Sequence, residues 1–238
     1  MAKFTNAPLP SLNLLSKSIF KKSSLNENLV KPWRIHNHLT LPISRSAWSF
    51  ELIAKYRLIR SSNSSLNILF PSYFCNSSLA PLREMRANLF FYPIEKDGKP
   101  DLEEIGKILS KNNIDLVVGV HFFGNYIDFS ELAHISEEHN IWFIEDCAHL
   151  LNLPERASIR SDFQLFSPHK FLPIPDGALL SVNKRIFKAD LEIKDFEKLY
   201  KKYIKQESNR YKAYLWLLKR LLQKLNFGIN IGIKDYYN

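Results

Sequence analysis

Two residue types in one stretch of this chain could do chemistry together. Asp146 closes the apolar run IWFIED, and Lys170 follows a second run, DFQLFS, inside SPHK. A carboxylate and a lysine at adjacent strand ends are what a pyridoxal 5'-phosphate (PLP) site needs. The amine forms a Schiff base with the cofactor aldehyde, and the acid keeps the pyridine nitrogen protonated so that the ring takes up electrons. Glu145 precedes Asp146, but strand alternation sends the two side chains to opposite faces, so only one can meet a cofactor. Each residue also has an ordinary reading: a cap after the strand for Asp146, a surface lysine for Lys170.

Elements that position this pair follow from hydrophobic periodicity. Ser44–Ile59 reads as a helix with Ser44 as its N-cap, its apolar residues recurring at Ala47, Phe50, Ala54 and Leu58. Strand and helix then alternate. NILFP is a strand, CNSSLAPLREMR a helix, NLFFYPI a strand, and DLEEIGKILSK a helix with acids in its first turn, where the macrodipole favours them. IDLVVGVHFFG is a buried strand, DFSELAHISEEH a helix capped by Asp128 or Ser130, and IWFIED, DFQLFS and GALLSV are strands. The pattern predicts an α/β fold: a mainly parallel sheet with helices on both faces and ligands outside the carboxyl ends of the strands.

Bulk properties narrow the class. The chain has 238 residues, 45% apolar, enough for a substantial core. Two cysteines, Cys75 and Cys147, make no disulfide framework and fit a reducing, cytoplasmic setting. No run approaches the roughly 20 apolar residues of a membrane span, and the N-terminus has no signal-peptide pattern. Of the +9 net charge, +8 lies between Lys184 and Lys224, where 13 Lys/Arg face 5 Asp/Glu. Such a stretch fits a solvated helix face, and equally an acidic partner or an anionic surface. Tyr200, Tyr203, Ile204 and the leucines from Leu215 to Leu225 give it an apolar stripe that fits packing on the domain or on a partner. The sequence thus divides into an N-terminal extension (1–40), a large domain (41–185) and a basic helical C-terminal segment (186–238).

Five segments, SRSAW, LFPSYFC, VGVHFFGNYIDFSEL, FIEDCAHL and FSPHKFLPIPDGALL, stand in order between Ser44 and Val182. Together they resemble the DegT-type keto-sugar aminotransferases, a branch of the fold-type I PLP enzymes. The resemblance implies PLP as cofactor, with Lys170 as the Schiff-base lysine and Asp146 as the pyridine-nitrogen partner. Phe166, Phe171 and Leu172 flank Lys170 and would ease its neutral, nucleophilic form. His149 matches the position near the cofactor's 3'-oxygen. Ser46 and Ala47 match the phosphate-binding turn, which in the family carries a glycine where Ser44 stands here. Ser167 and His169 fit the phosphate by their likeness to Ser-x-His-Lys runs of cysteine desulfurases. The aromatic that covers the ring aligns with Cys75, leaving Tyr73 or Phe74 to substitute. His121 and Gly124 match a V-H-x-x-G strand end, His121 in a structural role.

The same resemblance implies a keto-sugar nucleotide substrate, an amino-acid amine donor, cell-surface polysaccharide synthesis and a homodimer, with no nucleic-acid or membrane partner. It also implies truncation at the C-terminus relative to the family, the small domain being mostly absent. A catalytically impaired relative serving as a binding or regulatory subunit is therefore an alternative, and a sulfur-transfer PLP reaction is a third.

Overall fold

The structure is a computed structural model and describes residues 10, 11, 13, 27–61, 63–154, 160–174, 176–207 and 210–224. Its centre is a seven-stranded sheet in the order β1-β7-β6-β5-β4-β2-β3. The strands are β1 (His38–Ile43), β2 (Asn67–Pro71), β3 (Asn88–Tyr92), β4 (Leu116–Val120), β5 (Trp142–Cys147), β6 (Phe163–Phe166) and β7 (Ala178–Asn183). Neighbouring strands from β3 through β6 pair in parallel, while β7 runs antiparallel to both β6 and β1. Only β7 therefore opposes the common direction, and the mainly parallel α/β expectation holds.

Every residue of β4 and β5 is buried, Glu145 and Asp146 of β5 included, because both faces of the parallel sheet are covered. On one face, helix α1 (Ser46–Arg60) packs Tyr56 against Trp142 and Phe50 against Phe70. The short α2 (Ala80–Glu84) and α3 (Leu102–Leu109) follow β2 and β3, and Asp101 caps α3 by accepting from Glu104 N–H. On the other face, α4 (Ser130–Glu138) buries Leu132 and Ala133, and Phe129 meets Phe143 edge-on.

Two capping expectations are corrected. Arg45, not Ser44, occupies the N-cap of α1 and makes no side-chain cap bond. The Ser44 carbonyl instead accepts from Gly177 N–H at 2.9 Å. Phe129 holds the N-cap of α4, while Asp128 Oδ1 accepts from Ser130 N–H and Oγ–H just beyond it.

The sheet draws on residues before position 40: β1 begins at His38, and a 3-10 helix (Glu27–Trp33) sets Val30 and Trp33 against Cys147, Leu150, Phe166 and Leu179. After β7 come α5 (Asp190–Glu207) and α6 (Arg210–Lys224). Phe196 of α5 is fully buried and lies edge-on to Tyr56 at 4.9 Å, and Tyr203 donates to Glu51, so this helix packs on α1. Leu225, the end of the apolar stripe, lies outside the described residues, as do most of residues 1–26. Among the described residues, no helix is long and apolar enough to cross a membrane.

Candidate active site

Asp146 sits near the end of β5, 7% exposed, and its Oδ1 accepts from Ala148 N–H at 2.9 Å. Burial raises its carboxyl above the usual range, while the positive charge of Lys170 pulls it back down. The charge of Lys170 also reaches His149, whose ring burial and Lys170 together hold it in its neutral form. Asp146, His149 and Lys170 thus share one electrostatic neighbourhood at the carboxyl end of the sheet, where the doubly wound topology places ligands.

Lys170 ends a 3-10 turn, Pro168–Lys170, that follows β6. Of its expected apolar flank only Phe166 is buried. Phe171 and Leu172 are 36% and 37% exposed.

Ser167, immediately before that turn, is fully buried, and its Oγ–H donates to Ser46 Oγ at 3.0 Å. Ser46 is the first residue of α1 and Ala47 the second, so both hydroxyls stand where helix N–H groups and the helix dipole favour an anion. His169 closes the turn: its Nδ1 lies 2.9 Å from the Gly177 carbonyl, which fits an N–H donor. Burial, then the charge of Arg45, lowers its pKa to about 4, so it enters the site as a neutral ring. Gly177 itself has φ +133°, a conformation for which L side chains are strained, and a Cβ there would meet Ile174 Cδ1 at 3.2 Å.

Aromatic rings form the outer wall. Tyr73 is 61% exposed and lies 5.8 Å from Phe122 and 6.2 Å from Phe123. Phe123 stacks on His149 at 5.7 Å, and His149 Nδ1 accepts from Phe123 N–H at 3.4 Å. Phe123 was not singled out in the sequence. Phe123 has φ +52° and Gly124 φ +85°, both in the left-handed region. Cys75 is exposed at the mouth of the 3-10 turn after β2, its Sγ 3.1 Å from Ser77 Oγ. Burial opposes ionisation of that thiol, but hydrogen bonds from Ser77 and Ser78 outweigh it and lower its pKa.

These groups suit PLP. They offer a buried carboxylate for a protonated ring nitrogen, a nearby amine, and paired hydroxyls at a helix N-terminus for a phosphate.

The model of the DegT/DnrJ/EryC1/StrS aminotransferase family matches residues 62–167. This segment is similar to that family and makes up less than half of the chain. It contains Asp146, His149 and Ser167, and Lys170 lies three residues past its end. A Campylobacter jejuni UDP-4-amino-4,6-dideoxy-N-acetyl-beta-L-altrosamine transaminase is 30% identical over 108 residues, 42% of this chain and 29% of that protein. Serine hydroxymethyltransferase from the same species is 29% identical over 103 residues, 41% of this chain and 25% of that one. The chain therefore spans less than a third of the curated relatives it matches. Among solved structures, Helicobacter pylori PseC, an aminotransferase involved in the biosynthesis of pseudoaminic acid, superposes with TM-score 0.57 at 18% identity, covering 72% of this chain and 45% of PseC. Pyrococcus horikoshii kynurenine aminotransferase superposes with TM-score 0.57 at 12% identity, covering 84% of this chain and 51% of that one. These likenesses show an aminotransferase-type fold around the segment that the family model matches.

Proposed function

We propose that this protein binds PLP through Lys170 and acts as an aminotransferase on a nucleotide-linked keto-sugar, with an amino acid as amine donor. The observation that carries this reading is the shared neighbourhood of buried Asp146 and Lys170 within and beside a DegT-type segment. When bound, PLP supplies an electrophilic aldehyde and an electron-accepting ring. Asp146 would face the ring nitrogen and hold a proton there. Ser46 Oγ and Ser167 Oγ would bind the phosphate with the first N–H groups of α1, and His149 would sit beside the ring's 3'-oxygen with Phe123 against its outer face. The Lys170 Nζ, once released, is the base placed to move a proton on the substrate. The keto-sugar substrate is supported by the similarity to the C. jejuni UDP-sugar transaminase. Cell-surface polysaccharide synthesis, a cytoplasmic location and a homodimer belong to the same proposal.

A second reading, a binding or regulatory relative without turnover, is supported by the exposure of the site's wall: Phe123 is 71% and Tyr73 61% exposed. A site that admits water loses reactive species to side reactions. Incubating the protein with PLP, glutamate and a UDP-4-keto-sugar separates the two. An amino-sugar nucleotide in the product supports the first reading, and a yellow protein with no amino-sugar supports the second.

A further inference from the structure

We infer that His121 and Glu145 are a positioning pair for Asp146, a role that rests on the PLP reading above. His121 directly follows β4, and its backbone N–H donates to the Asp146 carbonyl at 3.1 Å, beside the last rungs of the β4–β5 ladder. Its ring is fully buried between Tyr126, stacked at 5.2 Å, and Phe129 at 4.9 Å. Ile127 N–H donates to the ring's Nδ1 at 3.1 Å. An imidazole nitrogen that accepts a hydrogen bond carries no proton, so the neutral ring bears its proton on Nε2. That Nε2 is buried without a hydrogen-bond partner, and the Glu145 Oε2 lies 4.0 Å from it.

Glu145 is 4% exposed and immediately precedes Asp146, on the opposite face of β5. The His121 ring thus spans from the turn at residues 121–127 to the back of β5. A buried N–H without a hydrogen bond carries its desolvation cost, so the facing Glu145 carboxylate is a favourable neighbour for it. The same turn carries Phe123 against His149. This one buried contact links the strand that carries Asp146 to the turn that carries Phe123.

A metal ion is the rival for this cluster, since ligand atoms of His121, Glu145 and Cys147 all lie within 4.8 Å of one another. The tautomer opposes it. Ligation through Nε2 while Nδ1 accepts from Ile127 would demand an imidazolate. Burial, followed by the charges of Glu145 and Asp146, also pushes the Cys147 thiol well up, so it keeps its proton.

The test uses the full-length protein and four variants. His121→Asn keeps an acceptor where Nδ1 stood and loses the proton toward Glu145. Glu145→Ala removes the acceptor, Glu145→Gln keeps one, and Cys147→Ser controls for metal. Two quantities are read: amide hydrogen exchange at residues 121 and 148 without cofactor, and the PLP Kd. His121→Asn and Glu145→Ala are expected to speed exchange at those two amides and raise the Kd, each roughly tenfold for the loss of one buried N–H-to-carboxylate contact. Amides of β1 should keep their rates, and Glu145→Gln should stay near the parent protein. Unchanged exchange, uniformly faster exchange, a Glu145→Gln variant as impaired as Glu145→Ala, or stoichiometric zinc uptake lost in Cys147→Ser would each overturn the inference. If the parent protein takes up no PLP, the proposed function fails, while the exchange comparison still decides whether the pair holds the end of β5.

Discussion

Ser167 Oγ–H donates to Ser46 Oγ at 3.0 Å, joining residues 121 positions apart in sequence. The bond ties the turn that carries Lys170 to the N-terminus of α1, and it gathers two hydroxyls where backbone N–H groups already favour an anion. If that anion is the cofactor phosphate, Ser46→Ala and Ser167→Ala each remove a hydrogen bond to a charged group, worth about 1.5–3 kcal/mol. PLP affinity should fall roughly ten- to a hundredfold in each. Pyridoxal, which lacks the phosphate, should bind the parent protein and both variants alike. Parallel absorbance titrations with the two ligands make the comparison.

The raised carboxyl of Asp146 carries a stability cost in the cofactor-free protein. The usual carboxyl value is 3.8, and burial moves the folded value above it. The folded state then holds the proton more tightly than the unfolded state, so stability is lost as pH rises from 3.8 through the raised value. Asp146→Asn removes this titration. Without PLP the variant should melt higher than the parent at pH 7, with the difference closing toward pH 4. With PLP present the order should reverse, because the ring nitrogen loses its anionic partner. Melting curves across pH, with and without cofactor, test both halves.

Two half-buried histidines act in the opposite direction. His38, with Nδ1 3.0 Å from Ser181 Oγ, and His169 both have pKa values lowered from 6.5 to about 4, chiefly by burial. The folded protein holds them neutral, so their contribution is complete above pH 6.5 and is lost as pH falls toward 4. The urea midpoint should drop through that window, and the double variant His38→Gln, His169→Gln should flatten the drop.

Phe196 tests whether α5 belongs to the same cooperative unit as the sheet. It is fully buried against Tyr56 and Phe187. Phe196→Ala should cost about 3–5 kcal/mol. If α5 and the sheet unfold as one, near-ultraviolet dichroism and far-ultraviolet dichroism will shift to lower denaturant together.

Much of the fold was legible because β4 is a continuous apolar run and β5 opens on one, Trp142 to Ile144, a pattern that a doubly covered parallel strand imposes. The β1 strand was not legible. HLTLPI carries a proline and is only half-buried over most of its length, and its partner β7 lies about 140 residues away, so no local periodicity announces it. Asp146 was expected near a strand end and lies there, and Lys170 falls in the 3-10 turn that follows β6. The cap of α1 was misread because serine is the common capping residue, whereas the Ser44 carbonyl here serves Gly177 and leaves the cap to Arg45. Phe123 escaped notice because its placement depends on a positive φ that its side chain does not advertise. His121 was read as structural. Its ring does serve the packing, but the proton it directs at Glu145 emerges only once the Ile127 hydrogen bond is seen.

The central claim is that Lys170 and Asp146 serve one cofactor. Reduction of the PLP-treated protein with borohydride, followed by peptide mapping, tests it most directly. The account predicts one pyridoxyl adduct, on Lys170, lost in Lys170→Ala and sharply reduced at limiting PLP in Asp146→Ala. An adduct spread over surface lysines, or labelling of Lys170 indifferent to Asp146, would contradict it.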